Sequence, residues 1–173
     1  IYDVIKKIKK FKNKKFFLKN LVYFKDFNYT KITRYYDVKN FKYYDMKLGI
    51  MPAHPASFIH RDIYKKYGFY NENYNIASDF EFFLKILFLK KIPFKIINKN
   101  LVRMRMGGVS SYNLRSYYKT SKEIYKIFKE NNIKANILNV IIRIPLKLHQ
   151  LFFYDEKKLN RNFKNFQIKF DKE

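Results

Sequence analysis

The chain has 173 residues, with 38 lysines and arginines against 14 aspartates and glutamates, which gives a formal net charge of +24. Hydrophobic residues make up 47% of the sequence and aromatic residues 20%, enough apolar surface for a packed core, so an acidic disordered tail and a low-complexity linker are both excluded. Cysteine is absent, which excludes a disulfide framework, a thiolate metal site and a cysteine nucleophile.

The first third of the sequence predicts one helix and three strands. Apolar spacing over residues 3–11 indicates a helix, and because no strand precedes it, we expect further sequence upstream. Runs rich in β-branched and aromatic residues predict strands at 21–24 and 28–36. Two prolines around His54 stiffen a loop that leads into a predicted strand at 57–60.

The rest of the chain predicts mostly helices. A short helix over 62–67 is closed by Gly68, and the segment from Ser78 to Glu81 has the pattern of a capping box that starts an apolar helix over 79–89. Two strands, 94–97 and 101–106, are predicted to flank a turn, and helices are predicted at 114–130 and 135–153. No apolar stretch reaches the roughly 18 uninterrupted residues of a membrane span.

This order of elements predicts the fold class and two regions. Strands and helices alternate up to residue 106 and helices alone follow, which favours an α/β fold, a mixed sheet with flanking helices and an all-helical C-terminal extension. We therefore divide the chain into residues 1–110, the α/β part, and 111–173, the helical extension.

The basic excess leaves a binding function open. Lysine neutralises phosphate and anionic lipid, so a binding module for nucleic acid or for an anionic membrane surface is one interpretation. Only seven of the basic residues are arginines, whose planar fork suits phosphate and base recognition, and this disfavours nucleic acid. The basic amphipathic pattern over 136–153 is compatible with a helix on a membrane surface and also with a helix packed in a core, which is the commoner case.

Three features could carry chemistry. Asp79 is predicted at the first position of a capped helix, where it is either a fixed general base or simply a favourable first-turn residue. His54, between two prolines, either contacts a ligand or is incidental. Arg103 and Arg105 alternate along one predicted strand before Gly107 and Gly108, a pattern that fits a diphosphate clamp or an ordinary edge strand.

Four segments in this order resemble the second half of family 2 glycosyltransferases: MPAHPASFIHR at 51–61, YGFYN at 67–71, IASDFE at 76–81 and VRMRMGGVS at 102–110. The resemblance covers about residues 3–153 and is closest to bacterial enzymes that extend cell-surface polysaccharide. It implies a partial GT-A fold and inverting transfer of a sugar from a nucleotide-sugar donor to the hydroxyl of a saccharide or lipid-linked saccharide acceptor. It also implies a cytoplasmic location, with a peripheral contact at the inner face of the membrane as an alternative.

The resemblance also implies roles for individual residues. In the family, the second member of an acidic pair is the catalytic base; it matches Asp79, although the first member is replaced here by Ser78. The remaining matched positions are expected to bind substrate on the acceptor and diphosphate sides of the cleft: His54, Ser78, Arg103, Arg105, Gly107 and Gly108.

The chain departs from the family in its metal ligands. Family members hold Mg²⁺ or Mn²⁺ through an Asp-x-Asp motif in a nucleotide-binding N-terminal half, and no Asp-x-Asp occurs in this chain. We therefore assign no metal ligand here and expect the chain to be the acceptor-side, C-terminal part of a longer enzyme. Because the diphosphate charge would then be uncompensated, we expect negligible activity from this part alone.

Overall fold

A mixed four-stranded sheet organises the part of the chain that the structure describes. The computed structural model describes Phe11, residues 14–24, 32–105 and 114–134, and Val140. Its strands are β1 (Phe16–Phe24), β2 (Ile32–Tyr36), β3 (Ser57–Ile59) and β4 (Phe94–Arg105). β4 runs parallel to β1 along one edge, whereas β2 and β3 share the opposite edge of β1 and are antiparallel to it. The α/β fold class with a mixed sheet is thus confirmed.

β1 is central because its sequence suits burial on both faces. The segment FFLKNLVYF is buried along almost its whole length, as expected of a strand that is covered above and below. Its polar Asn20 is satisfied in place, since the side-chain Oδ1 accepts the Val38 amide at 3.0 Å and the side-chain amide bonds the Tyr35 hydroxyl. The prediction of a strand over 21–24 was right in kind but missed the N-terminal half of β1.

In the described part of the chain, three α-helices accompany the sheet: α1 (Arg61–Tyr67), α2 (Ser78–Phe83) and α3 (Leu114–Glu130). α1 confirms the predicted short helix, and Gly68 ends it at φ +84°, a conformation that favours glycine. α2 continues as a π-helix over Leu84–Leu89, so the predicted apolar helix is present with a wider final turn. Before Gly49, the residues Tyr43–Leu48 form a 3-10 helix.

The predicted capping box of Ser78 and Glu81 is wrong. Ala77 occupies the N-cap position and makes no side-chain bond, while Ser78 is the first helical residue. The Glu81 side chain is buried and its Oε1 lies 3.4 Å from Lys85, one turn further along the helix. Because the Glu81 carboxylate lies on the core side of the helix, it does not accept the amide of the N-cap residue. The amide of Ala77 is bound by Glu123 instead.

The predicted turn between residues 97 and 101 is also wrong. One continuous strand, β4, spans Phe94–Arg105. It pairs with β1 from Phe16 to Phe24, and the pairing register shifts on either side of Asn20. The polar stretch therefore forms an irregularity within the parallel pairing, since the residues before and after it both pair with β1.

The main core lies between one face of the sheet and the helices α2 and α3. Phe16 and Leu18 of β1 contribute from the sheet, and Phe83 contacts Phe16 edge-to-face at 5.5 Å. Ile124 and Phe128 contribute from α3. A smaller cluster around Leu21 covers the opposite face, since Leu18 and Leu21 are an odd number of residues apart in the strand.

Several predictions lie outside the described residues. These are the helix over 3–11 apart from Phe11, the helix over 135–153 apart from the buried Val140, and both glycines, Gly107 and Gly108. Within the described residues, no helix is both long enough and apolar enough to cross a bilayer.

Candidate functional site

A chain of hydrogen bonds joins three aromatic side chains from separate segments. His54 Nε2 lies 2.8 Å from the Tyr70 hydroxyl, which lies 3.2 Å from the Tyr64 hydroxyl. His54 comes from the 3-10 turn His54–Ala56, Tyr64 from α1, and Tyr70 from the loop between α1 and α2. All three side chains are half-buried. The result is a preorganised row of polar groups at the edge of the core.

The core fixes the orientation of the His54 ring. It meets Tyr70 edge-on at 5.4 Å and Phe83 edge-on at 5.8 Å, with interplanar angles of 70° and 87°. Phe83 is fully buried in α2. The imidazole therefore sits between a buried aromatic ring and a phenol, in contact with the helix that carries Asp79.

Asp79 belongs to the same neighbourhood. It is the second residue of α2, not the first as predicted, and it is half-buried. Its Oδ1 accepts the Phe80 amide at 2.7 Å. Burial, the Tyr64 hydrogen bond and the charges of Tyr64 and Asp79 together raise the pKa of Tyr70 above its ordinary value. Tyr70 thus bonds His54 and lies close enough to Asp79 for the charge of that carboxylate to contribute to its raised pKa.

The loop before α2 is held by a residue of α3. Glu123 accepts the backbone amides of Asn75, Ile76 and Ala77 at 3.2, 3.0 and 2.8 Å. One of these amides, that of Ala77, belongs to the N-cap residue of α2, so Glu123 supplies the acceptor that the Glu81 side chain was predicted to be. The amides of Asn75 and Ile76 lie in the loop before the helix. Glu123 also ties residues 75–77 to a helix more than forty positions further along the chain.

The remaining predicted site residues are placed as follows. Ser78 is half-buried beside Asp79 in the first turn of α2. Arg103 and Arg105 are exposed on β4, next to Val22 and Phe24 of β1. Between the arginines, Met104 packs with the small cluster that contains Ala53 and Ala56, so strand alternation puts both guanidinium groups on the other face of the sheet. Their assignment to a diphosphate clamp stays a prediction.

Sequence reasoning missed Tyr64, Tyr70 and Glu123. Tyr70 lies in the segment YGFYN that contributed to the family resemblance, yet tyrosine is too common here, with 16 copies, for one of them to stand out. Glu123 offered one weak signal, an acidic residue between Lys122 and Lys126 on a strongly basic helix. No pattern along the chain could have paired it with residues 75–77.

The described residues do not form a metal site. Among residues 14–24, 32–105 and 114–134, no group of three or more histidine, aspartate or glutamate side chains could hold a metal ion.

Alkaline titration provides a direct check of the Tyr70 environment. A phenol whose pKa is higher in the folded chain stabilises the fold fully below about pH 10, and this contribution is lost as pH rises towards the folded-state pKa. Tyr35, whose pKa burial raises to about 12, behaves in the same way. We expect the free energy of unfolding to fall less steeply above about pH 10 in Tyr70→Phe than in the native chain.

Urea unfolding at several pH values measures that slope. Tyr118→Phe is the matched control, because Tyr118 is exposed on α3 and the same atom is removed. Equal slopes for Tyr70→Phe and the native chain would show that folding does not raise the pKa of Tyr70.

Comparison with known proteins identifies no relative of this chain. No protein-family model matches the chain, and no curated protein or solved structure matches it significantly. The geometry described above and the segment resemblance are therefore the basis for a functional proposal.

Proposed function

We propose that the chain is the acceptor-side part of an inverting, GT-A-type glycosyltransferase of cell-surface polysaccharide biosynthesis. It would act on a nucleotide-sugar donor and on a hydroxyl of a saccharide or lipid-linked saccharide, at the cytoplasmic side of the membrane. The main observation in support is that Tyr70 bonds His54 and is influenced by the charge of Asp79, while the His54 ring contacts Phe83 of the helix that carries Asp79. His54, Tyr70 and Asp79 each come from a different one of the segments that resemble family 2 glycosyltransferases, and a shared site accounts for these contacts.

In this proposal Asp79 is the general base. Its carboxylate takes the proton of the acceptor hydroxyl while that oxygen attacks the anomeric carbon of the donor sugar. The bond from the anomeric carbon to the diphosphate oxygen breaks at the same time, its electron pair leaves with the nucleotide diphosphate, and the configuration inverts. The amide of Phe80, bonded to Oδ1 at 2.7 Å, favours the ionised carboxylate that a base requires.

His54 and Tyr70 are suited to hold the acceptor. A sugar presents hydroxyl groups that both donate and accept hydrogen bonds, and an imidazole joined to a phenol offers both functions. Because the His54–Tyr70–Tyr64 row is already bonded internally and rests on Phe83, its groups need little ordering when a ligand binds. Ser78, next to Asp79, is assigned to the same acceptor side.

We assign the donor to sequence outside residues 1–173. The chain contains no Asp-x-Asp, and its described residues offer no group of metal ligands. Mg²⁺ or Mn²⁺ would neutralise the diphosphate when bound to that other part of the enzyme. The proposal predicts that the polypeptide that carries out transfer contains an Asp-x-Asp in addition to the residues described here.

The Asp79 carboxylate decides between this proposal and a binding function. Sugar transfer by the polypeptide of the whole reading frame should depend on it, whereas binding to a polyanion should not. Loss of transfer in Asp79→Asn with nucleotide-sugar binding retained would support the base; retained turnover would reject it.

A second candidate function is attachment to an anionic membrane surface through the outer face of α3. The inner face of this helix is buried through Ile124, Ile127 and Phe128. The outer face is exposed and combines lysine with tyrosine: Tyr118, Lys119, Lys122, Tyr125, Lys126 and Lys129. This composition is typical of a helix that lies on a membrane surface, because lysines attract anionic headgroups and tyrosines are favoured at the membrane–water interface.

Vesicle sedimentation tests this candidate. Changing Lys119, Lys122 and Lys129 together to glutamine should weaken binding to phosphatidylserine vesicles about 100-fold, at about 1 kcal/mol for each lysine. The control changes three other exposed lysines, Lys39, Lys65 and Lys66, and removes the same charge. Equal losses in the two triple variants, or binding to DNA as tight as to the vesicles, would reject a specific membrane face.

A further inference from the structure

The loop that leads into α2 is clamped by α3 at consecutive points. The Tyr74 hydroxyl bonds the Glu130 carboxylate, and Glu123 accepts the next three amides, those of residues 75–77. Tyr74 itself is buried, so the loop is anchored by packing as well as by polar bonds. Two carboxylates of one helix therefore hold four consecutive residues immediately before Ser78 and Asp79.

The bonds to Glu123 are of the strong kind. Hydrogen bonds between a backbone amide and an ionised carboxylate are roughly twice as strong as neutral ones. A single carboxylate that receives three amides also restricts the position of all three, since each must point at the same group. Residues 75–77 can therefore move relative to α3 only if several charge-assisted bonds are lost together.

α3 is in turn fixed against α2. The Phe80 ring meets the Phe128 ring edge-to-face at 5.7 Å, and Ile124, Ile127 and Phe128 are buried in the core. Phe80 follows Asp79 and donates its amide to the Asp79 carboxylate at 2.7 Å. Helix α3 thus contacts both the backbone before Asp79, through Glu123, and the side chain after it, through the Phe128–Phe80 contact.

From this geometry we infer that Glu123 is a positioning residue for Asp79. By anchoring residues 75–77, it fixes where the first turn of α2 begins and so where the Asp79 carboxylate stands relative to His54 and Tyr70. The inference rests on the proposed function, and it makes α3, which belongs to the predicted extension 111–173, a part of the active-site framework.

Glu123→Gln is the most informative change. Glutamine keeps the length and shape of the side chain, but its amide nitrogen cannot accept a hydrogen bond, so at least one of the three backbone amides loses its partner. Glu72→Gln is the matched control, because it makes the same chemical change at an exposed position in the neighbouring loop. Urea unfolding of each variant verifies that both remain folded.

Two measurements on the polypeptide of the whole reading frame test the inference. Amide hydrogen exchange at residues 75–77 should accelerate in Glu123→Gln and stay unchanged in Glu72→Gln. For sugar transfer, kcat should fall about 10- to 100-fold, because a displacement of about 1 Å at a catalytic group costs that much, while KM for the acceptor stays within about threefold. Glu123→Asp, which keeps the charge, should recover part of kcat.

The possible failures are distinguishable. Unchanged exchange at residues 75–77 would show that Glu123 does not hold the loop and would overturn the inference. Faster exchange with unchanged kcat, in an enzyme that Asp79→Asn inactivates, would overturn the positioning role and leave the proposed function intact. If Asp79→Asn retained turnover, the proposed function would fail, and the role of Glu123 would be reduced to that of a structural clamp.

Discussion

Replacing Asp79 with asparagine should lower kcat for sugar transfer by about 10²- to 10⁴-fold, the usual contribution of a positioned general base. Asparagine has the same shape, and its side-chain oxygen can still accept the Phe80 amide, so the helix start is preserved. It cannot take a proton at neutral pH. On the complete enzyme, initial rates with a nucleotide-sugar and a saccharide acceptor measure kcat, and calorimetry measures the donor affinity, which should be unchanged.

Asp62→Asn is the matched control for that change. Asp62 lies in the first turn of α1 as Asp79 lies in the first turn of α2. Its side chain is 45% exposed, and its hydrogen bond from Lys15 at 2.8 Å lowers the pKa of its carboxyl. This variant should keep full turnover. Equal losses of kcat in the two variants would indicate a general effect of first-turn charge and would contradict a specific base at position 79.

Phe83→Ala should lower the free energy of unfolding by about 3 to 5 kcal/mol, the usual cost of removing a buried aromatic side chain. Phe83 is fully buried and contacts Phe16 of β1 at 5.5 Å and His54 at 5.8 Å. The change leaves a cavity between the sheet and α2 and removes the surface on which the His54 ring rests. Urea unfolding followed by far-ultraviolet circular dichroism gives the free energy.

An exposed phenylalanine serves as the control for Phe83. Phe69 is 71% exposed and stacks on Tyr64 at 5.7 Å, so Phe69→Ala should cost less than about 1 kcal/mol. If Phe83→Ala does not fold, Phe83→Leu, which fills most of the volume, should fold with a smaller loss of stability. A loss for Phe83→Ala no greater than that for Phe69→Ala would mean that the core does not depend on this ring.

Local sequence patterns predicted elements well where the nearest neighbours decide the conformation. α1 was predicted because Asp62, the closing lysines and Gly68 lie within one short stretch, and each acts on backbone groups a few residues away. β3 followed in the same way from the residues after the Pro-His-Pro loop. The same reasoning failed at Ser78, because the N-cap residue is Ala77 and its amide is accepted by Glu123 of a distant helix.

The candidate site was predictable in part. Asp79 and His54 were singled out by their settings and by the family resemblance, but nothing along the chain indicated that they share a neighbour. That neighbour, Tyr70, bonds His54 across 16 positions. Tyr70 is one of 16 tyrosines in the chain, so only its position in the tertiary structure distinguishes it from the others.

The sequence by itself determined the charge, the absence of cysteine and of Asp-x-Asp, the apolar run of β1 and the glycine stop after α1, because these depend on composition or on neighbouring residues. The tertiary structure decided that β4 is one strand and that Glu123 holds the loop before Asp79. Both outcomes depend on pairing between residues tens of positions apart, where the free energy of a contact is set by the partner that folding brings alongside and not by the local pattern.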